Sequence, residues 1–272
     1  MAPLNQDAIT CVGLIPAAGK ARRISPLPCS KEVFPVGFGE IRQKGQRHPK
    51  VAAHYLLEKM RLAGAKKAYF ILSDGKWDIP AYFGNGAMAD MAIAYLMTDL
   101  PYGVPFTLDS AFPFLENKRV LFGFPDILIQ TEDVYVRLLD RLQVSQADIV
   151  LGLFLAGNPN KMDMVELAAD GTIAGIRIKP AQTDLKWTWI IAVWHFAFTR
   201  FMHNYVQHHL PTLSAANDGL LKDDLKEIFL GDILQKAIES ELTIDKVIFP
   251  ESSYSDIGTP EDMITAIQRH TR

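Results

Sequence analysis

A chain of 272 residues that is 49% hydrophobic and 22% charged can bury a large core as one domain of α/β size. Its net charge of −3 argues against a nucleic-acid surface, and two cysteines, Cys11 and Cys29, are too few for a disulfide framework, so a reducing cytoplasm is expected. No apolar run approaches ~20 residues and no basic-then-apolar leader is present, which speaks against a membrane partner.

Apolar runs alternate with segments of helical period along the chain. The pattern predicts strands over Val12–Ile15, Ala68–Leu72, Ala92–Met97, Val120–Phe124 and Ile149–Leu155. Helices are predicted over Lys50–Leu62, closed by Ala63-Gly64, and over Glu132–Leu142. Such alternation implies βαβ units around a mostly parallel sheet. Segment 39–50 is polar and contains glycine, and reads as an exposed loop before the first helix. Phe106, Phe112 and Phe114 are placed on a helix, where core packing is the favoured role. Met164–Ala168 and Thr172–Ile178 flank Asp170-Gly171, a hairpin signal, and Trp189–Phe196 reads as a buried strand. Helices over Phe198–His208 and Asp223–Glu239, a strand over Ile244–Phe249 and a helix from Glu261 complete the pattern.

Residues 13–36 carry the strongest chemical signal. The first strand runs into the small residues Ala17, Ala18 and Gly19, and the cations Lys20, Arg22, Arg23 and Lys31 follow. Small residues let a ligand approach backbone N–H groups, and clustered cations neutralise phosphate charge. The stretch is neither a Walker A loop nor a spaced-glycine dinucleotide fingerprint; the competing reading is a solvated basic loop. No Gly-x-Ser-x-Gly or His-Glu-x-x-His motif is present, so no activated nucleophile is expected. Asp126 and Asp256 each follow a predicted strand, where carboxylates of an open α/β sheet face the ligand crevice. Two such oxygen ligands with substrate phosphates suit Mg²⁺, whereas spacing alone equally allows a turn or a helix cap.

Ile15-Pro16-Ala17-Ala18-Gly19, Arg23, Pro26 and Ser30-Lys31-Glu32-Val33-Phe34-Pro35 resemble the opening motif of the sugar-phosphate nucleotidyltransferases, in both their thymidylyl and uridylyl branches. Ala21 and Arg22 stand where that family has Gly-Thr. Asp256-Ile257-Gly258-Thr259-Pro260-Glu261-Asp262 is similar to the family's Asp-x-Gly-Thr-Pro-Glu-Asp, whose first aspartate is a metal ligand. Gly123-Phe124-Pro125-Asp126 stands for its Gly-Asp, with two residues interposed, and Ile178-Lys179-Pro180 for its Glu-Lys-Pro.

The resemblance implies an α/β three-layer sandwich over residues 1–272, with a mixed, mostly parallel central sheet and a small antiparallel lobe at about 164–196. It also implies a cytoplasmic, Mg²⁺-dependent transfer of a nucleotidyl group from dTTP or UTP to a sugar 1-phosphate with release of pyrophosphate. Arg23 and Lys31 would neutralise the triphosphate, Lys179 would hold the sugar phosphate, and Asp126 and Asp256 would hold the metal. Ala17, Ala18, Gly19, Thr98 and Gly103 would bind the nucleotide, with Gly103 leaving room for the base. Ile178, Ala192 and Trp194, where the family has polar groups, imply a less polar acceptor pocket. Two alternatives stand beside this function: a non-catalytic sensor of nucleotides or sugar phosphates, and an enzyme using a non-hexose phosphorylated acceptor. A homo-oligomer is compatible with the sequence and is not specified by it.

Overall fold

The computed structural model describes residues 10–41, 45–100, 102–216, 227–240 and 242–271. Strand β1 (Thr10–Pro16) runs into the basic loop, and β2 (Pro35–Glu40) with β3 (Arg47–Val51) forms an antiparallel hairpin. Helix α1 (Ala52–Leu62), β4 (Lys67–Leu72), α2 (Asp78–Phe83) and β5 (Ala92–Met97) follow. Next come α3 (Val104–Asp109), β6 (Lys118–Gly123), β7 (Ile127–Ile129), α4 (Val134–Ser145) and β8 (Ile149–Leu155). A second hairpin, β9 (Met164–Leu167) and β10 (Ile173–Arg177), precedes β11 (Trp187–Trp194) and α5 (Phe196–Ala216). The last elements are α6 (Leu230–Ile238), β12 (Ile244–Ile248), β13 (Tyr254–Asp256) and α7 (Pro260–His270).

The central sheet has nine strands in the order β10-β9-β11-β6-β1-β4-β5, with β8 and then β12 continuing from β11. Parallel pairs join β6, β1, β4 and β5, and also β8 and β12. Of these strands only β10 and β11 run against the rest, so the sheet is mixed and mostly parallel. The expected antiparallel lobe is the β9–β10–β11 edge of this same sheet.

Period-2 alternation divides the apolar side chains between two helix layers. In β1, Val12 and Leu14 join one core with α3, α5 and α6; Ile15 and Ala17 join the other, with α1, α2 and α4. Fully buried side chains such as Leu14 and Phe122 contribute ~1.5–3 kcal/mol each. Helices on both faces of one sheet make the three-layer sandwich that the sequence predicts.

Strand β11 breaks the alternation. A bulge between Trp189 and Ile191 inserts one residue against β8, so Ile190 and Ile191 both fall on the α1–α4 side. Trp189, Ala192 and Trp194 consequently share the α5–α6 side, although 189 and 194 have opposite parity.

Four expectations need correction. Segment 39–50 is not one continuous loop, because its ends lie in β2 and β3, paired from Pro35↔Val51 to Glu40↔Arg47. Its Arg42 and Lys44 lie outside the described residues. The first helix starts at Ala52, since Lys50 and Val51 belong to β3. Likewise α6 starts at Leu230, and residues 223–226 of the predicted helix fall outside the description. Phe106 is buried in α3 as expected, whereas Phe114 lies in a short 3-10 turn and is half exposed.

Candidate active site

The strands end along one side of a crevice of about 1060 Å³, bordered by Arg23, Phe124, Gly157, Lys179, Trp189 and Asp256 among others. Open α/β sheets place ligands beyond the carboxyl ends of their strands, and Phe124, Leu155 and Pro250, at or just past the ends of β6, β8 and β12, border the crevice.

A two-stranded ribbon brings the two aspartates together. Strand β7 follows Asp126 and pairs antiparallel with β13, which ends at Asp256; Asp256 lies opposite Ile127. The Ile257 amide donates to the Asp126 carbonyl at 3.1 Å, which closes the ribbon beside both carboxylates. Burial pushes the Asp256 carboxyl up to about 6, reinforced by the charge of Asp126 and opposed by Lys31 and Arg23. Its Oδ1 is buried without a hydrogen-bond partner among the described residues. Paired carboxylates with an orphaned oxygen are short of positive charge, so the donor set fits a divalent cation.

The Ser30-Lys31-Glu32 segment is fixed at each residue in turn. Ser30 donates to Asp78 at 2.7 Å, Lys31 pairs with Asp126, and Glu32 pairs with Lys76 at 2.8 Å in a buried contact. Burial pulls the Lys31 ammonium down, but the charge and hydrogen bond of Asp126, then Glu32 and Asp256, outweigh it and raise its pKa. Burial likewise raises the Glu32 carboxyl, against the opposing pull of Lys76. Asp78 and Lys76 were not legible as partners, because they follow β4 and share no spacing with the loop.

Arg23 reaches the same place. A Cβ built on Gly258 would stand 2.8 Å from Arg23 Nη2 and 2.9 Å from Asp256 Oδ1. That glycine is needed for close approach. The rest of its motif starts a helix: Thr259 caps α7 by accepting from the Asp262 amide at 3.3 Å, and Pro260 takes the first turn. Ala21, where the related motif has glycine, keeps a left-handed conformation at φ +50°.

Lys179 also borders the crevice, in a left-handed conformation, φ +39°, with Nζ 3.8 Å from the centre of the Phe229 ring. Asp163 lies nearby. Burial pushes its carboxyl up to about 6, opposed by Lys179 and reinforced by Asp232.

Three solved structures share this arrangement of elements. A protein described as a glucose-1-phosphate thymidylyltransferase from Bacillus anthracis, solved with sucrose, is similar at TM-score 0.77 and 15% identity, covering 96% of this chain and 95% of its own. A UDP-glucose pyrophosphorylase from Acinetobacter baumannii has TM-score 0.72 and 14% identity, with 96% and 93% covered. A UTP-bound form from the same organism has TM-score 0.70 and 12% identity over the same shares. The chain has the fold of the sugar-phosphate nucleotidyltransferases. No family model and no curated protein matches its sequence.

Within that nucleotidyltransferase fold, Arg23, Lys31, Asp126 and Asp256 converge, and Lys179 borders the same crevice. The expected nucleotide residues divide. The Ala17 amide donates to the Ile71 carbonyl at 2.8 Å and so extends the sheet, while the Ala18 carbonyl accepts from Ser73 Oγ at 2.9 Å. Gly19 is exposed with open space around it. Thr98 is buried, and its Oγ1 accepts from the Leu100 amide at 3.3 Å. Gly103 does not leave room for a base: a Cβ there would stand 2.1 Å from the Ile228 carbonyl oxygen, so a neighbouring loop fills the gap.

The expected apolar acceptor pocket is also corrected. Trp194 is buried in the α5 core, where its Nε1 donates to Thr199 at 2.9 Å, and Ala192 is buried beside it. Ile178 and Asp163 both pack against Gly231 at the start of α6, and Asp163 also borders the crevice, as does Trp189. No described helix is long and apolar enough to cross a membrane.

Proposed function

We propose that the protein is a Mg²⁺-dependent nucleotidyltransferase that joins the nucleotidyl group of dTTP or UTP to a sugar 1-phosphate. An oxygen of the acceptor phosphate forms a bond to the α-phosphorus as the bond from that phosphorus to the β-phosphate oxygen breaks. Pyrophosphate leaves with the electron pair. Such transfers ask for positioning and charge neutralisation rather than a covalent intermediate.

The observation that carries this reading is the meeting of Arg23, Lys31 and Asp126 around Asp256, which borders the same crevice as Lys179. Arg23 offers a fork of donors to triphosphate oxygens and to the departing pyrophosphate. Lys31, already charged and anchored by Asp126, holds the adjacent oxygens. Lys179 holds the acceptor phosphate. Asp126 and Asp256 would hold the cation, with phosphate oxygens and water as its further ligands, as suits Mg²⁺. When bound, Mg²⁺ supplies charge neutralisation of the phosphates undergoing transfer.

The test is pyrophosphate release on mixing the protein with Mg²⁺, dTTP or UTP, and a panel of sugar 1-phosphates. Release that disappears with chelator and in Asp256→Asn supports the reading. No release with any pairing, or release indifferent to both perturbations, overturns it.

A further inference from the structure

The two carboxylates joined by the β7–β13 ribbon are unequally served. Oδ1 of Asp256 is buried with no hydrogen-bond partner among the described residues. Asp126, beside it across the ribbon, is capped by the ammonium of Lys31 in a mostly buried ion pair. Where a cation would bridge the two, one carboxylate is open and the other is already paired.

The backbone around Lys31 is tied on both sides. Ser30 Oγ donates to Asp78 at 2.7 Å, and Glu32 pairs with Lys76 at 2.8 Å. Glu32 therefore has its own cation and does not need Lys31. With its neighbours held, Lys31 is left its side chain to move, and a lysine carries its charge on a flexible four-carbon stem. Arg23, the other cation acting on Asp256, is exposed and keeps its donors free for phosphate.

At neutral pH the negative charges of Asp126 and Asp256 are balanced by the positive charges of Lys31 and Arg23. A bare divalent cation would upset that balance, and it would enter with an ammonium already on one of its ligands. Like charges brought together in a poorly solvated place repel strongly. A triphosphate arriving with the cation brings the negative charge that a released Lys31 would pair with.

We propose that Lys31 holds the cation's place on Asp126 in the free protein, yields that carboxylate to the cation, and moves to the triphosphate. One side chain then couples the two ligands, so that metal alone binds poorly and metal with triphosphate binds well. This rests on the reading of Asp126 and Asp256 as the cation's ligands, and adds what stands there beforehand. The competing arrangement is static: Lys31 stays on one oxygen of Asp126 while the cation takes the other. An ammonium beside the metal weakens bare metal binding in either case, so the nucleotide has to separate them.

The test is calorimetry on the full chain with Mn²⁺, which takes the same oxygen ligands as Mg²⁺, and with the α,β-imido analogues of dTTP and UTP, each with and without the other ligand. Lys31→Met should tighten binding of Mn²⁺ alone roughly tenfold or more, the usual size of removing a like charge a few ångströms away. It should weaken the analogue by a similar factor when Mn²⁺ is present, and by clearly less when it is absent. Lys31→Gln provides the same readings if Lys31→Met does not fold. Asp256→Asn should abolish Mn²⁺ binding in the wild-type and Lys31→Met backgrounds alike. Unchanged or weaker Mn²⁺ binding in the Lys31 variants, or an equal loss of analogue affinity with and without metal, overturns the inference; the metal reading survives if Asp256→Asn still abolishes binding. Mn²⁺ bound by none of the proteins, even with analogue, overturns the metal reading and the inference together.

Discussion

Asp163→Asn should make the protein more stable at neutral pH. The carboxyl is raised from 3.8 to about 6, chiefly by burial. A rise of about two units at ~1.4 kcal/mol each makes ionised Asp163 cost the fold up to about 3 kcal/mol above pH 6. The folded state holds this proton more tightly than the unfolded one, so the penalty is absent below about pH 4. It grows as pH rises through the window between 3.8 and about 6, and is complete above it. Asparagine keeps the shape and removes the charge, but its amide still lacks full hydrogen bonding, so a gain of about 1–3 kcal/mol at pH 7.5 is expected. At roughly 2–4 °C per kcal/mol for a chain of this size class, Tm should rise by about 2–12 °C. Thermal denaturation of both proteins at pH 7.5 and pH 4.5 reads the effect, and the difference should shrink at the lower pH. Asp256, also raised to about 6, titrates in both proteins and cancels from the comparison. A Tm difference that is unchanged with pH, or a variant less stable at pH 7.5, would refute the reasoning.

Gly258→Ala puts a methyl group 2.8 Å from Arg23 and 2.9 Å from Asp256. Pyrophosphate release should fall at least tenfold with little change in Tm, and full activity would show that the close approach does not matter. Gly103→Ala combines a φ of +108° with a clash against the Ile228 carbonyl, and should cost about 2 kcal/mol or more in a urea titration. An unchanged midpoint with weaker nucleotide binding would return Gly103 to the base site. Lys31→Ala leaves Asp126 without its ion-pair partner; with 17% and 14% of the two side chains exposed, the loss should be about 1–3 kcal/mol, below that of a fully buried pair. Calorimetry should also show weaker triphosphate binding, and unchanged affinity would leave Lys31 a purely structural residue.

By itself the sequence determined the features that local physics controls. Apolar runs marked β1, β4, β6 and β8, because strands buried between two helix layers have little polar to alternate with. Asp170-Gly171 marked the β9–β10 turn through the left-handed conformation of Gly171, φ +83°. The motif around Asp256 was legible because its second half is a helix cap with a local signature. Tertiary structure decided what depends on partners distant in sequence. Strands β7 and β13 are three residues each and exist only as a pair, so nothing local announces the ribbon that sets Asp126 beside Asp256. Hairpin β2–β3 is polar and carries Pro49, and its cross-strand bonds outweigh its composition. Which tryptophan borders the crevice was equally hidden. Strand β11 is buried on both faces, and one bulged residue shifts the parity between Trp189 and Trp194. Only the packed fold then shows that the Trp194 indole finds Thr199, whereas Nε1 of Trp189 finds no hydrogen-bond partner among the described residues.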